Sequence, residues 1–330
     1  ATVIVYYLSC TLLNTNAITL GNVVAFVEYL FHVMMSVLIF CMVFMMYPRA
    51  NVSAKRIMEV LDTKPSIVND KDCILLDSIE TLSFNNVSFS YPNGEEAVLK
   101  NIDFSCHKGQ KIAVIGSTGS GKSTLVKLMN RFYDVSRGSI EINGVDIRKY
   151  DLESLRAQIG YVAQKAHMFK GSIRSNICFG KPEASEEEMV HASSVAQASD
   201  FISKRENGYL DEIAEDGTNI SGGQKQRLSI ARVILKKPSL YIYDDSFSAL
   251  DFKTDATLRK ALKPEVKDAI FFVVAQRIST IMDSDMIIVL DEGQIIGLGT
   301  HLELLKNCSV YQEIAHSQLT QKELDDYERN

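Results

Sequence analysis

Residues Gly116 to Thr124 read G-S-T-G-S-G-K-S-T, directly after the apolar run Lys111–Gly116 (KIAVIG) and directly before LVKLMNRF. This matches GxxxxGK[ST] set between a strand and a helix, and no other feature of the chain constrains its fold as strongly. Glycines let a backbone wrap closely around phosphate oxygens, and the unpaired N–H groups of a helix's first turn point at the same anion. The pattern assigns Gly116, Ser117, Thr118, Gly119, Ser120, Gly121, Lys122, Ser123 and Thr124 to a phosphate-binding loop. Lys122 would bridge the outer phosphates of a nucleoside triphosphate, and Ser123 would ligate Mg2+. A chance glycine turn would not carry the flanking strand and helix.

Such a loop needs a partner carboxylate. Leu240-Tyr241-Ile242-Tyr243-Asp244 is an apolar strand ending in one, placed to hold Mg2+ through water. Further short apolar or alternating runs begin at Leu82, Ile159, Ala269 and Met286, several of them β-branched as in parallel sheets buried on both faces. Helical patterns fall at about Gly121–Phe132, Glu186–Ala198, Gly222–Lys236 and Thr254–Leu262. Strand–helix alternation of this kind predicts an α/β domain with a mostly parallel sheet.

The N-terminal part is different in kind. From Ala1 to Tyr47 the sole Lys, Arg, Asp or Glu is Glu28. Leu30–Tyr47 has no formal charge, and extended back to about Asn22 it is long enough to span a hydrocarbon core of roughly 30 Å. Arg49, Lys55 and Arg56 follow, which puts the end near Pro48 on the cytoplasmic side. The apolar stretch Thr2–Leu13 lacks a basic n-region and a small-residue cleavage site, so it reads as the end of another spanning helix, joined by a short outer loop. Ala1 is not an initiator methionine, and the chain reads as a fragment of a longer protein.

Net charge of −6 argues against a large basic nucleic-acid surface, so no nucleic-acid partner is expected. Cys10, Cys41, Cys73, Cys106, Cys178 and Cys308 are scattered singly, which suits free thiols in a reducing compartment rather than disulfides or a zinc site.

What the triphosphate would drive is indicated by Ile220-Ser221-Gly222-Gly223-Gln224-Lys225-Gln226-Arg227. Here the chain resembles the nucleotide-binding domain of ATP-binding cassette (ABC) proteins, whose SGGQ loop opens a helix and reaches the ATP held by the other subunit of a dimer. Other elements follow in the family's order. Tyr91 matches the aromatic that stacks on adenine, Gln164 the glutamine that contacts Mg2+, and Ser248-Ala249-Leu250-Asp251 the D-loop at the dimer interface. Glu215 stands at the cross-talk glutamate of exporters, with Asp216 in place of the usual arginine.

The resemblance covers about Thr81 to Ser317, and the preceding helix and AKRIMEVLDTKP resemble the last membrane helix and linker of exporters. It implies an α/β P-loop nucleoside triphosphatase cassette, a RecA-like core with antiparallel β and α-helical subdomains, preceded by transmembrane α-helices. The expected divisions are a membrane part over 1–61, a linker over 62–80, the cassette over 81–318 and a polar tail over 319–330. ATP and Mg2+ are the implied ligands, with Ser123, Gln164 and Asp244 at the metal.

Two positions depart from the family. Asp245 stands where a glutamate polarises the attacking water, and Gln276 stands where a histidine contacts the γ-phosphate. Asp is one methylene shorter, and displacing a catalytic group by about 1 Å can cost roughly a hundredfold in rate. Gln donates hydrogen bonds but cannot take a positive charge. With the ATP-gripping residues and Ser221–Gln224 intact, the chain resembles the degenerate-site subunit of a heterodimeric exporter in contact with membrane lipid. Its own site would be weakly hydrolytic, its signature would complete the site of a second half-transporter, and a bacterial plasma membrane is the expected location. The alternatives are a slow homodimeric exporter using Asp245 and a non-pumping ATP-gated channel or regulator. The transported substrate is not legible in these residues.

Overall fold

The computed structural model describes residues 2–14, 17–92, 94 and 96–318. The tail expected over 319–330, and Thr15 and Asn16 of the expected outer loop, lie outside the described residues. The chain forms two compact units, Ala1–Pro65 and Ser66–Asn330.

The first unit holds α1 (Thr2–Asn14) and α2 (Leu20–Leu61). Thr19 caps α2, its hydroxyl accepting the Asn22 N–H at 3.4 Å, so one of the first-turn donors is satisfied. At 1.5 Å per residue the helix is roughly 60 Å long. Pro48 sits inside it and, lacking an N–H, removes one rung of its hydrogen-bond ladder. Its most apolar 18-residue window has a mean hydropathy of 2.2, so α2 is long and apolar enough to cross a membrane. The large side chains of this stretch face outward, Phe40 69% and Met45 67% exposed.

The strands of the second unit are β1 (Thr81–Phe89), β2 (Leu99–His107), β3 (Lys111–Gly116), β4 (Arg137–Ile142), β5 (Val145–Asp146) and β6 (Ile159–Val162). They continue with β7 (Gly171–Ser172), β8 (Glu212–Ile213), β9 (Leu240–Asp244), β10 (Ile270–Val274), β11 (Met286–Asp291) and β12 (Gln294–Gly299). The helices are α3 (Lys122–Met129), α4 (Leu152–Ala157), α5 (Ile173–Ile177), α6 (Glu186–Val195) and α7 (Ser199–Ile202). After them come α8 (Gly222–Lys236), α9 (Phe252–Glu265), α10 (Ile278–Ile281), α11 (His301–Asn307) and α12 (Ser309–Gln318).

The central sheet runs β12-β11-β3-β10-β9-β6, parallel except for the β11–β12 hairpin. Alternate residues of its inner strands enter different cores. Ile112, Val114, Leu240, Ile242, Ile270 and Phe272 join one cluster, while Ala113, Ile115, Tyr241, Tyr243, Phe271 and Val273 join the other. Burial on both faces is why these strands read as unbroken apolar runs. The first cluster also takes Leu82, Phe84, Ile102 and Phe104 from an antiparallel sheet, β2-β1-β4-β5, together with α3. The second is covered by α6, α8 and α12.

Part of the segment expected as a linker is held on the cassette. The guanidinium of Arg131, a residue only 3% exposed, donates to Val68 O at 3.2 Å and to Tyr150 O at 3.3 Å. Ile74 bridges to Tyr150, the Leu76 N–H donates to Ser154 Oγ at 3.1 Å, and Leu76 and Ile79 are buried. The polar residues between these few apolar ones conceal the docking in the sequence.

Candidate functional site

The carboxyl ends of β3, β10, β9 and β6 lie side by side, the part of an open parallel sheet where ligands bind. Each leads into residues singled out above. β3 leads into the Gly116–Thr124 loop, β10 into Gln276, β9 into Asp244 and Asp245, and β6 into Gln164. β10 separates β3 from β9, so these two strands lie about 10 Å apart, two strand spacings, and the loop that follows β3 reaches across to Asp244.

The loop's backbone bends inward at Gly119, with φ of 87°, a conformation that favours glycine. A Cβ there would meet nothing within 4 Å, so no neighbouring atom crowds the turn at this position. Gly121 is the N-cap of α3 and contributes no side-chain cap, which leaves the first-turn N–H groups turned toward the loop. Lys122 Nζ crosses the loop, donating to Gly116 O at 2.9 Å, Ser117 O at 2.6 Å and Ser120 Oγ at 3.3 Å. Burial pushes the Lys122 pKa down, while the carboxylates of Asp245 and Asp244 draw it back up. Thr118, Gly119, Lys122, Ser123, Gln164 and Gln276 border a cleft of about 230 Å³.

Asp244 is tied through both oxygens. Ser123 Oγ donates to Oδ1 at 3.4 Å, and the Tyr161 hydroxyl donates to Oδ2 at 3.3 Å. Burial raises the Asp244 pKa, against these two bonds and the charges of Lys127 and Lys122. Burial, with the neighbouring carboxylate, pushes the Tyr161 phenol up to about 12, so it remains a donor. Tyr161 went unrecognised in the sequence; its one signal was a lone tyrosine inside the apolar run IGYV, three residues before Gln164. The oxygens of Ser123, Asp244 and Gln164 form a hydroxyl, carboxylate and amide set that suits Mg2+, completed by phosphate and water. Together with the uncrowded glycine turn, the donor set fits a magnesium–triphosphate pair.

Asp245, Gln164 and Gln276 come together. Gln276 Nε2 donates to Asp245 Oδ2 at 2.8 Å, and Gln164 Nε2 donates to the same oxygen at 3.3 Å. Asp245 has φ of 47°, and its N–H donates to Val274 O at 2.9 Å. Left-handed backbone is tolerated best by short polar side chains such as Asp. Burial raises the Asp245 pKa, and the adjacent Asp244 adds to the rise.

The Ser221–Gln224 segment stands apart. The Gln224 N–H donates to Ser221 Oγ at 3.3 Å and the Ser221 N–H to Gln224 Oε1 at 3.0 Å, a reciprocal capping box that opens α8. Among the described residues no hydrogen bond joins this segment to the Gly116–Thr124 loop. It touches the Ser248–Asp251 turn instead, since a Cβ on Gly223 would lie 3.3 Å from Ala249 O. Ser248 Oγ donates to Asp245 O at 2.7 Å, Leu250 is buried, and Asp251 caps α9 by accepting the Thr254 N–H at 3.0 Å. Asp216, beside Glu215, has φ of 52°; its carbonyl accepts Lys225 Nζ at 2.7 Å and its carboxylate lies 3.3 Å from His167 Nδ1. Tyr91 packs edge-on against Phe89 and Tyr133, with its hydroxyl 3.0 Å from Thr124 Oγ1.

Residues 99–248 match the ABC transporter family. An uncharacterised ABC transporter ATP-binding protein of Mycobacterium bovis is 40% identical over 311 residues, 93% of this chain and 53% of that protein. A candidate multidrug export ATP-binding/permease protein of Bacillus subtilis is 40% identical over 298 residues, 90% of this chain and 51% of that one. The structure of a bacterial Atm1-family ABC exporter with ATP bound superposes with a TM-score of 0.84 at 32% identity, over 92% of this chain and 53% of that chain. The chain thus spans about half the length of these relatives, and α2 fits their transmembrane portion. Residues 99–248 are an ABC transporter domain, and the relatives of the chain are ABC transporter ATP-binding and permease proteins.

Proposed function

We propose that the chain is part of a membrane exporter subunit whose own ATP site binds tightly and hydrolyses slowly. The Gly116–Thr124 loop and Lys122 hold the phosphates, Tyr91 meets the adenine, and Ser123, Asp244 and Gln164 hold Mg2+, which supplies charge screening for the phosphates. Ser221–Gln224 completes the site of a second, different half-transporter, with Ser248–Asp251 along the shared interface. α2 crosses a membrane, bacterial plasma membrane being the proposed one, with the cassette on the cytoplasmic side where Arg49, Lys55 and Arg56 lie. Similarity to an exporter structure with ATP bound supports the choice of nucleotide.

The observation that carries the slow-site reading is the bonding of Asp245. A general base needs a free oxygen within reach of the attacking water's proton. Asp245 Oδ2 accepts two amide N–H groups, from Gln276 and Gln164, which pin the carboxylate in place, and the side chain is one methylene shorter than glutamate, so its reach toward that water is reduced. Gln276 can hold an oxyanion by one hydrogen bond but cannot carry a proton. The signature segment has no such defect, since its helix start is capped by its own residues.

The test is ATP turnover by the full-length subunit purified alone and co-purified with candidate half-transporters. Negligible turnover alone, with clear turnover in a pair that is lost when the partner's catalytic glutamate is replaced, is the expected result. Robust turnover by the lone subunit, abolished by Asp245→Asn, would overturn the asymmetric reading.

A further inference from the structure

The last described residue of α12 grips the loop that carries Gln276. Gln318 Oε1 accepts the Ile278 N–H at 2.9 Å, and Gln318 Nε2 donates to Gln276 O at 2.8 Å. One side-chain amide thus pairs with the peptide groups on both sides of Arg277, offering the donor and acceptor that a neighbouring strand would offer. The partners are 40 and 42 residues away, so this is a tertiary contact and not a local turn.

The loop needs such a contact. It leaves β10 through the Ala275 N–H, which donates to Val114 O at 3.1 Å, and enters the short helix α10 at Ile278, whose side chain is fully buried. Between these anchors the backbone of residues 276–278 bonds to Gln318, through Arg277 O to the Thr280 N–H at 3.2 Å, and through Ile278 O to the Met282 N–H at 3.1 Å. Meanwhile the Gln276 side chain must hold its amide 2.8 Å from Asp245 Oδ2, and a turn of its peptide plane would carry that amide away. The far end of the grip is firm. α12 is seated by the buried residues Tyr311 and Ala315, and the Tyr311 hydroxyl lies 2.7 Å from His301 Nδ1.

We propose that Gln318 is a positioning residue. It holds the 276–278 backbone so that the Gln276 amide faces Asp245 and, with ATP bound, the terminal phosphate. The C-terminal helix thereby controls the geometry of the nucleotide site without touching nucleotide. This rests on the reading of Gln276 as a phosphate-facing residue.

The experiment uses the full-length transporter in lipid nanodiscs, with Gln318→Ala, Gln276→Ala, the double variant and Gln312→Ala. Gln312 lies on the same helix, its Nε2 donating to Leu305 O at 2.6 Å, away from the loop. Hydrogen–deuterium exchange without nucleotide should be about fivefold to tenfold faster for the peptide spanning Gln276–Ile278 in Gln318→Ala, and unchanged in Gln312→Ala. ATP binding should weaken about threefold to tenfold in Gln318→Ala, with no further loss when Gln318→Ala is added to Gln276→Ala. Unchanged exchange, or an equal loss of ATP affinity in both backgrounds, would overturn the proposal. Wild-type protein that binds no ATP would instead overturn the nucleotide reading, and the exchange measurement would still decide whether Gln318 holds the loop.

Discussion

Asp245→Glu adds the methylene that separates this site from a glutamate-bearing one, and its consequences can be worked from the geometry. The Asp245 carboxylate now ends 2.8 Å from Gln276 Nε2 and 3.3 Å from Gln164 Nε2. One more carbon–carbon bond extends it by at most about 1.5 Å, past these donors and into the cleft toward Lys122. If a misplacement of about 1 Å costs roughly a hundredfold, restoring the reach should recover roughly tenfold to a hundredfold, or about 1.4–2.7 kcal/mol of barrier. The gain stops short of full activity because Gln276 still cannot take a proton. A cost comes with it, since position 245 has φ of 47° and glutamate tolerates that conformation less well than aspartate, by roughly 1 kcal/mol. The variant should therefore be faster and slightly less stable. The assay is ATP turnover in a pair whose partner lacks its own catalytic glutamate, so that this site alone can turn over. Unchanged turnover with intact ATP binding would refute the argument from side-chain length.

Tyr161→Phe removes the hydroxyl that donates to Asp244 Oδ2 and should weaken Mg2+-dependent ATP binding roughly tenfold, read from a magnesium titration; an unchanged titration would dismiss Tyr161 as a support of the metal ligand. Asp245→Asn should stabilise the protein at neutral pH. The folded-state pKa of Asp245 is raised, so ionisation penalises the folded state above that pKa, and the penalty vanishes as pH falls below the ordinary carboxylate value. The gain in unfolding temperature should accordingly shrink on acidification, and a gain that grows instead would reverse the sign of the argument. Tyr243→Phe removes a fully buried hydroxyl with no hydrogen-bond partner among the described residues. It should raise stability by about 1 kcal/mol in denaturant unfolding, whereas a loss would reveal a partner such as water.

The parallel core was legible because β3, β9, β10 and β11 are buried on both faces and so spell continuous apolar runs. β2 was not, since Leu99–His107 alternates irregularly and its pairing with β1 slips on either side of Val87. β4 was hidden by the polar start of Arg137–Ile142, and β12 by its half-exposed residues. The phosphate loop and Asp244 were readable because their chemistry demands particular residue types at particular spacings. Even the capping of α8 is written in Ser221 and Gln224, three positions apart. Tyr161 and Gln318 were invisible for the opposite reason. Their partners lie 83 and 40 to 42 residues away, and the sheet and α12 alone bring them into reach.

The central claim is that one site of the pair keeps its ATP while the other consumes it. Photo-crosslinking of α-labelled azido-ATP in the assembled transporter, followed by separation of the two subunits, reports the nucleotide at each loop after a single turnover. Triphosphate should be retained on the chain bearing Lys122 while diphosphate accumulates on its partner. Diphosphate forming at equal rates on both chains would contradict the claim.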